Sequence, residues 1–212
     1  MILYLIRHGQ SEANEKGIIQ GHAEFSLSKL GKAQARLAGE TFADTHLDAI
    51  YTSDLGRAKE TADAIAEHHP LDVIPWDKIR EVGLGPLEGK TRDEMQKAFP
   101  DLKTDSLLTS GIEGSELTED ITARCAYVTE QLAAAYSGKQ VALVSHGGFI
   151  SIYLMYLIAG ENWPMLNRPF MIGNTGVTKI ERRENGLMKF HYVNQTAHLE
   201  RENDLKSSTV LY

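Results

Sequence analysis

The sequence predicts a three-layer α/β/α fold with a mostly parallel central sheet, an antiparallel edge hairpin and a small lid-like insertion. Three observations predict it. Short apolar runs rich in β-formers alternate with segments whose apolar residues recur at helical spacing. The runs at 2–6 and 141–145 have the unbroken apolarity of buried strands. An Asn-Gly pair between two late β-rich segments signals a hairpin.

Taken in order, Ile2 to Ile6 form a first strand that runs into Arg7-His8-Gly9. Ser28 is a good N-cap, and Leu30, Gln34, Leu37 and Thr41 share the face of a helix spanning about residues 29–44. Ala49 to Thr52 read as a second strand, Leu55 to Glu67 as a helix through Ala58, Ala62, Ile65 and Ala66, and Leu71 to Pro75 as a third extended segment. Residues 83–115 are rich in glycine and proline and show little periodicity beyond a short helix at Thr91 to Phe99, which predicts the lid-like excursion. Leu117, Ile121, Cys125, Val128, Leu132 and Ala135 line an amphipathic helix that ends before Gly138. Val141 to Ser145 then form a buried strand leading into His146-Gly147-Gly148 and an apolar helix. The hairpin pairs Val177 to Arg182 with Leu187 to Val193 around Asn185-Gly186, and the polar last dozen residues are expected to be loosely held.

These elements make one domain over 1–212 that contains the 83–115 insertion, with no repeat, low-complexity tract or long linker. The net charge of −7 disfavours nucleic acid and anionic membranes as partners, so a phosphate site must be locally basic. The single cysteine, Cys125, falls on an apolar helix face and reads as core, which fits a reducing compartment. Ile2 to Ile6 lack the flanks of a signal peptide, and Phe149 to Ala159 is too short to span a bilayer. A cytoplasmic protein, monomeric or homodimeric, is expected.

Two strands run directly into histidine and glycine, as Leu5-Ile6-Arg7-His8-Gly9 and Leu143-Val144-Ser145-His146-Gly147. Ligands of open α/β sheets bind at the carboxyl ends of strands, where two distant histidines can meet. The plain alternative is a pair of ordinary loop histidines. Arg57, just after the second strand, is either a solvated helix-face cation or, with Arg7, one arm of a clamp whose guanidinium forks match phosphoryl oxygens. Glu81 in Ile79-Arg80-Glu81-Val82-Gly83 follows the third strand and is either a partnered surface carboxylate or a general acid for a leaving alkoxide. The sequence lacks GxxxxGK[ST], GxSxG, HExxH and CxxC, and His22, His46, His68, His69, His191 and His198 show no compact metal-ligand spacing. Chemistry without a metal is expected.

The ordered motifs carry a resemblance over about residues 1–195: Leu5-Ile6-Arg7-His8-Gly9-Gln10-Ser11-Glu12-Ala13-Asn14, Gln20-Gly21, Ser53-Asp54-Leu55-Gly56-Arg57-Ala58, Arg80-Glu81, Gly85-Pro86-Leu87-Glu88-Gly89 and Val144-Ser145-His146-Gly147-Gly148. The chain resembles the histidine phosphatase superfamily, in its branch similar to cofactor-dependent phosphoglycerate mutase. That resemblance implies that His8 is the nucleophile that becomes phosphorylated, that Arg7, Arg57 and His146 hold the phosphoryl oxygens, and that Glu81 donates the proton. It also implies that Ser11, Asn14, Gln20, Gly21 and Gly147 line the phosphate and substrate pocket.

The chain departs from the family pattern at Glu24 and Ser26, at Gly114-Ser115-Glu116-Leu117, and at Ala13, where mutases of this branch carry tryptophan. Its 90–115 segment is short and nearly neutral, whereas a mutase must retain a bisphosphate and exclude water. The expected activity is therefore hydrolysis of a small phosphorylated metabolite with no cofactor. The alternatives are a mutase dependent on 2,3-bisphosphoglycerate and an inactive phospho-ligand-binding member.

Overall fold

The computed structural model describes residues 1–102, 104–200 and 205. Among the described residues six strands form one sheet: β1 (Ile2–Arg7), β2 (Ala49–Thr52), β3 (Val73–Pro75), β4 (Gln140–Ser145), β5 (Val177–Arg182) and β6 (Met188–Gln195), in the order β3-β2-β4-β1-β5-β6. β1, β2, β3 and β4 pair in parallel, while β5 pairs antiparallel with both β1 and β6. The predicted edge hairpin is thus β5–β6, and the parallel part of the sheet is the remainder.

The two faces of the sheet explain why its central strands are apolar throughout. Leu3, Leu5, Val141 and Leu143 point into one core, whereas Tyr4, Ile6, Ala142 and Val144 point into another, following the period of two. The first core is filled by Ile121, Cys125, Val128 and Leu132 of α5 (Thr118–Ala135) and by Phe149, Ile150 and Tyr153 of α6 (Gly147–Ala159). The second is filled by Phe42 of α2 (Lys29–Phe42) and by Ala58, Ala62 and Ile65 of α3 (Gly56–Ala66). Cys125 is fully buried, and burial pushes its thiol up to about 12.

A five-residue helix, α1 (Glu12–Lys16), lies in the loop after β1, where periodicity predicts no helix. Its amphipathic signal is too short to read. A capping box between Ser11 and Asn14 starts it, and Gly17 in the left-handed region ends it. Segment 83–115 lies outside the sheet and carries α4 (Arg92–Ala98). Isolated apolar residues root it in the first core: Leu84, Leu87, Met95, Leu107 and Leu108 are buried there. The polar C-terminal dozen, apart from Leu205, lies outside the described residues.

Candidate active site

Parallel pairing brings the carboxyl ends of β1, β2 and β4 to one edge of the sheet. Arg7 pairs with Ser145 and Thr52 with Val144, so Arg7-His8, Ser53 and His146 emerge side by side. β5 runs the other way and begins at the same edge, with Val177 opposite Ile6. Arg57 lies in the first turn of α3. Glu81 does not follow β3 directly, because a 3-10 turn at Asp77–Ile79 intervenes, and the Ser145 hydroxyl donates to the Ile79 carbonyl at 2.7 Å. Arg7, His8, Arg57, Glu81 and His146 are all 1% exposed or less, so neither Arg57 as a solvated cation nor Glu81 as a surface carboxylate describes this molecule.

His8 and His146 face each other with ring centroids 5.1 Å apart. His8 Nδ1 lies 2.6 Å from the Gly9 carbonyl, which can only accept, so Nδ1 carries the proton and the lone pair is on Nε2. Burial, then the charges of Arg57 and Arg7, push the His8 pKa well below its ordinary value against the opposing pull of that hydrogen bond. The backbone of His8 is held as firmly as its ring. Its carbonyl accepts from Asn174 Nδ2 at 3.1 Å and from the Thr175 amide at 3.3 Å, and that amide also reaches the Arg7 carbonyl at 3.1 Å.

The two arginines are anchored by carbonyls. Arg57 donates from Nη1 to Ala23 at 2.9 Å and from Nη2 to Gly21 at 2.8 Å, and Arg7 donates from Nη1 to Ile172 at 2.7 Å. Arg7 Nε and Nη2 are buried with no hydrogen-bond partner among the described residues. A Cβ on Gly147 would stand 3.2 Å from Arg7 Nε, so the glycine lets the guanidinium lie against the start of α6. His146 Nε2 is 2.8 Å from Ser53 Oγ, while its Nδ1 is buried without a partner among the described residues. Burial lowers the His146 pKa too, followed by Arg57 and His8.

The expected pocket residues are buried beside this cluster. Ser11 Oγ lies 2.7 Å from Gln20 Oε1, and Asn14 Nδ2 has no partner among the described residues. Glu81 sits under the first turn of α6. Its Oε1 accepts from the Val82 and Phe149 amides at 3.0 and 2.7 Å, and its Oε2 from the Gly148 amide at 3.0 Å.

Unmatched buried donors cost roughly 1–3 kcal/mol each, and here several converge around a neutral imidazole with an open lone pair. An anion with several oxygens offsets that cost. Ser53, Asn174 and Thr175 join the site without having been singled out as site residues. Gly173-Asn174-Thr175-Gly176, a small polar turn just before β5, is the signal that could have revealed the latter two, and Thr175 adopts φ 53° there. Among the described residues, no group of three or more His, Cys, Asp and Glu side chains could hold a metal ion, and no helix is long and apolar enough to cross a membrane.

Fold and site together define an α/β protein with a buried, arginine-flanked histidine pair at the carboxyl edge of its sheet. The family model of the histidine phosphatase superfamily (branch 1) matches residues 3–196, and the chain belongs to that superfamily. It is 34% identical to the uncharacterized phosphatase PhoE of Bacillus subtilis (strain 168) over 74% of this chain and 77% of that one. It is 31% identical to a putative phosphoserine phosphatase 2 of Hydrogenobacter thermophilus, over 92% and 96% of the two chains. The solved structure of Bacillus stearothermophilus YhfR superposes with a TM-score of 0.83 at 28% identity, covering 93% of this chain and 98% of that one.

Proposed function

We propose that the protein is a metal-independent phosphomonoesterase that hydrolyses small phosphate esters through a phosphohistidine on His8. The observation that carries this reading is the His8 ring itself, with Nδ1 protonated against the Gly9 carbonyl and Nε2 left as a nucleophile in the field of the Arg57 and Arg7 charges. Membership of a superfamily of phosphatases supports the same reaction class.

In the first step the Nε2 lone pair attacks phosphorus and the ester P–O bond breaks. The leaving alkoxide takes its proton from Glu81. In the second step water attacks phosphorus as Glu81 takes back a proton, the N–P bond breaks, and phosphate leaves. Arg7 and Arg57 hold the equatorial oxygens in place of a metal. Ser53 Oγ accepts from the Leu55 amide and can give its own proton to His146 Nε2, which makes His146 Nδ1 a further donor to the phosphoryl group. Asn14, with its unmatched Nδ2, Ser11, Gln20, Gly21 and Gly147 complete the pocket.

The test is turnover of p-nitrophenyl phosphate, with 3-phosphoglycerate plus 2,3-bisphosphoglycerate as the mutase arm. Expected results are release of free phosphate and an acid-labile phosphoenzyme that His8→Ala abolishes. Isomerisation without net phosphate release would favour the mutase. The absence of both turnover and phosphoenzyme would sink the enzyme reading.

A further inference from the structure

Glu81 lies on a stretch with no regular structure, and its position depends on what grips that stretch. One side chain grips it from several directions. Arg124 of α5 donates from Nη1 to the Arg80 carbonyl at 2.6 Å, immediately before Glu81, and reaches the Lys78 carbonyl at 3.4 Å. From Nη2 it donates to Glu116 Oε2 at 2.8 Å, and the same oxygen accepts from the Gly83 amide at 3.0 Å, just beyond Glu81. The Glu116 amide in turn donates to the Gly83 carbonyl at 2.8 Å. The guanidinium also lies 4.7 Å from the centroid of the Phe149 ring, and the Phe149 amide bonds the Glu81 carboxylate.

We infer that Arg124, acting through Glu116, is a positioning residue that sets the Glu81 carboxylate for proton transfer to the leaving group. The inference rests on the reading of Glu81 as the acid. The pair is largely buried, with the Arg124 side chain 10% exposed and that of Glu116 16%, so it is weakly screened by water. Arg124 holds the main chain before Glu81 and Glu116 holds it beyond, and the planar guanidinium fork joins the two by bonding the Arg80 carbonyl and the Glu116 carboxylate at once, a fixed geometry that lysine lacks. Loss of the clamp loosens residues 80–83, leaving Glu81 to its amide partners at the start of α6 and to His22 Nε2, 2.8 Å from its carbonyl, and a displacement of about 1 Å at a reacting group can cost on the order of a hundredfold in rate.

The test compares esters whose leaving groups need a proton with one that does not. Arg124→Met and Glu116→Gln are assayed on β-glycerophosphate and on p-nitrophenyl phosphate, beside Glu81→Gln and the double variant Glu81→Gln/Arg124→Met. The clamp variants should lose about tenfold or more in kcat/KM on β-glycerophosphate and at most about threefold on p-nitrophenyl phosphate. Arg124→Lys should recover only part of the difference, and the double variant should be no worse on β-glycerophosphate than Glu81→Gln. Equal losses on both esters, in Arg124→Met and in the milder Glu116→Gln, would reduce the pair to a structural role and overturn the inference. If Glu81→Gln itself shows no preference for the better leaving group, the acid assignment fails and the inference falls with it.

Discussion

Acidification should destabilise this protein well before its carboxylates titrate. Burial and the neighbouring arginines lower the pKa of both His8 and His146 well below the ordinary value of 6.5. Between the folded and unfolded pKa values the unfolded chain binds a proton that the folded chain refuses, so stability rises with pH across that window. The contribution is complete above 6.5 and is lost progressively as pH falls below it. Each such proton changes the unfolding free energy by about 1.4 kcal/mol per pH unit, and two together by roughly 2.7. That slope is a large fraction of the roughly 5–15 kcal/mol that holds a domain together. Urea unfolding followed by circular dichroism between pH 7.5 and 5 measures it directly. His8→Asn and His146→Asn should each flatten the curve by about one proton. His69, also lowered, chiefly by burial, is partly buried and remains as background in every variant. Carboxylates such as Asp54, held below 3.8 by the Arg80 hydrogen bond, titrate in a lower window. A stability that stays flat from pH 6.5 to 5, or a slope unchanged in both asparagine variants, would refute the reasoning.

Two further outcomes follow from packing. A Cβ on Gly31 would stand 1.9 Å from the Gln10 carbonyl oxygen, a backbone atom in the loop that follows His8, so Gly31→Ala should cost about 3 kcal/mol or more despite the better helix propensity of alanine. Its unfolding midpoint and its phosphoenzyme yield should fall together, and a neutral or stabilising effect would contradict the close approach. Cys125 is fully buried with a thiol pKa near 12, so iodoacetamide at pH 7.5 should leave activity and mass unchanged in the folded protein and label the chain only in denaturant.

Much of the site was legible because strands announce themselves locally. The apolar runs of β1 and β4 end in histidine and glycine, and any parallel sheet holding both puts them on one edge. Arg57 and Glu81 were legible as chemistry but not as burial, since a helix-face arginine and a loop glutamate look solvated in sequence. α1 escaped because five residues carry no period, and its start depends on the Ser11 and Asn14 side chains folding back on the main chain.

By itself the sequence determined the kinds of element, the alternation that makes a sheet with helices on both faces, and the ordered motifs that mark the superfamily. Local periodicity and residue chemistry suffice for these. Only the tertiary structure decided the strand order, the 5.1 Å approach of His8 to His146, the tautomer of His8 and the partners drawn from far along the chain. Asn174 is 166 residues from the His8 carbonyl it bonds, Ser53 is 93 residues from His146, and Arg124 is 44 residues from the Arg80 carbonyl it holds. Such contacts follow from which strands neighbour one another, a balance of packing over the whole sheet that no local window of sequence contains.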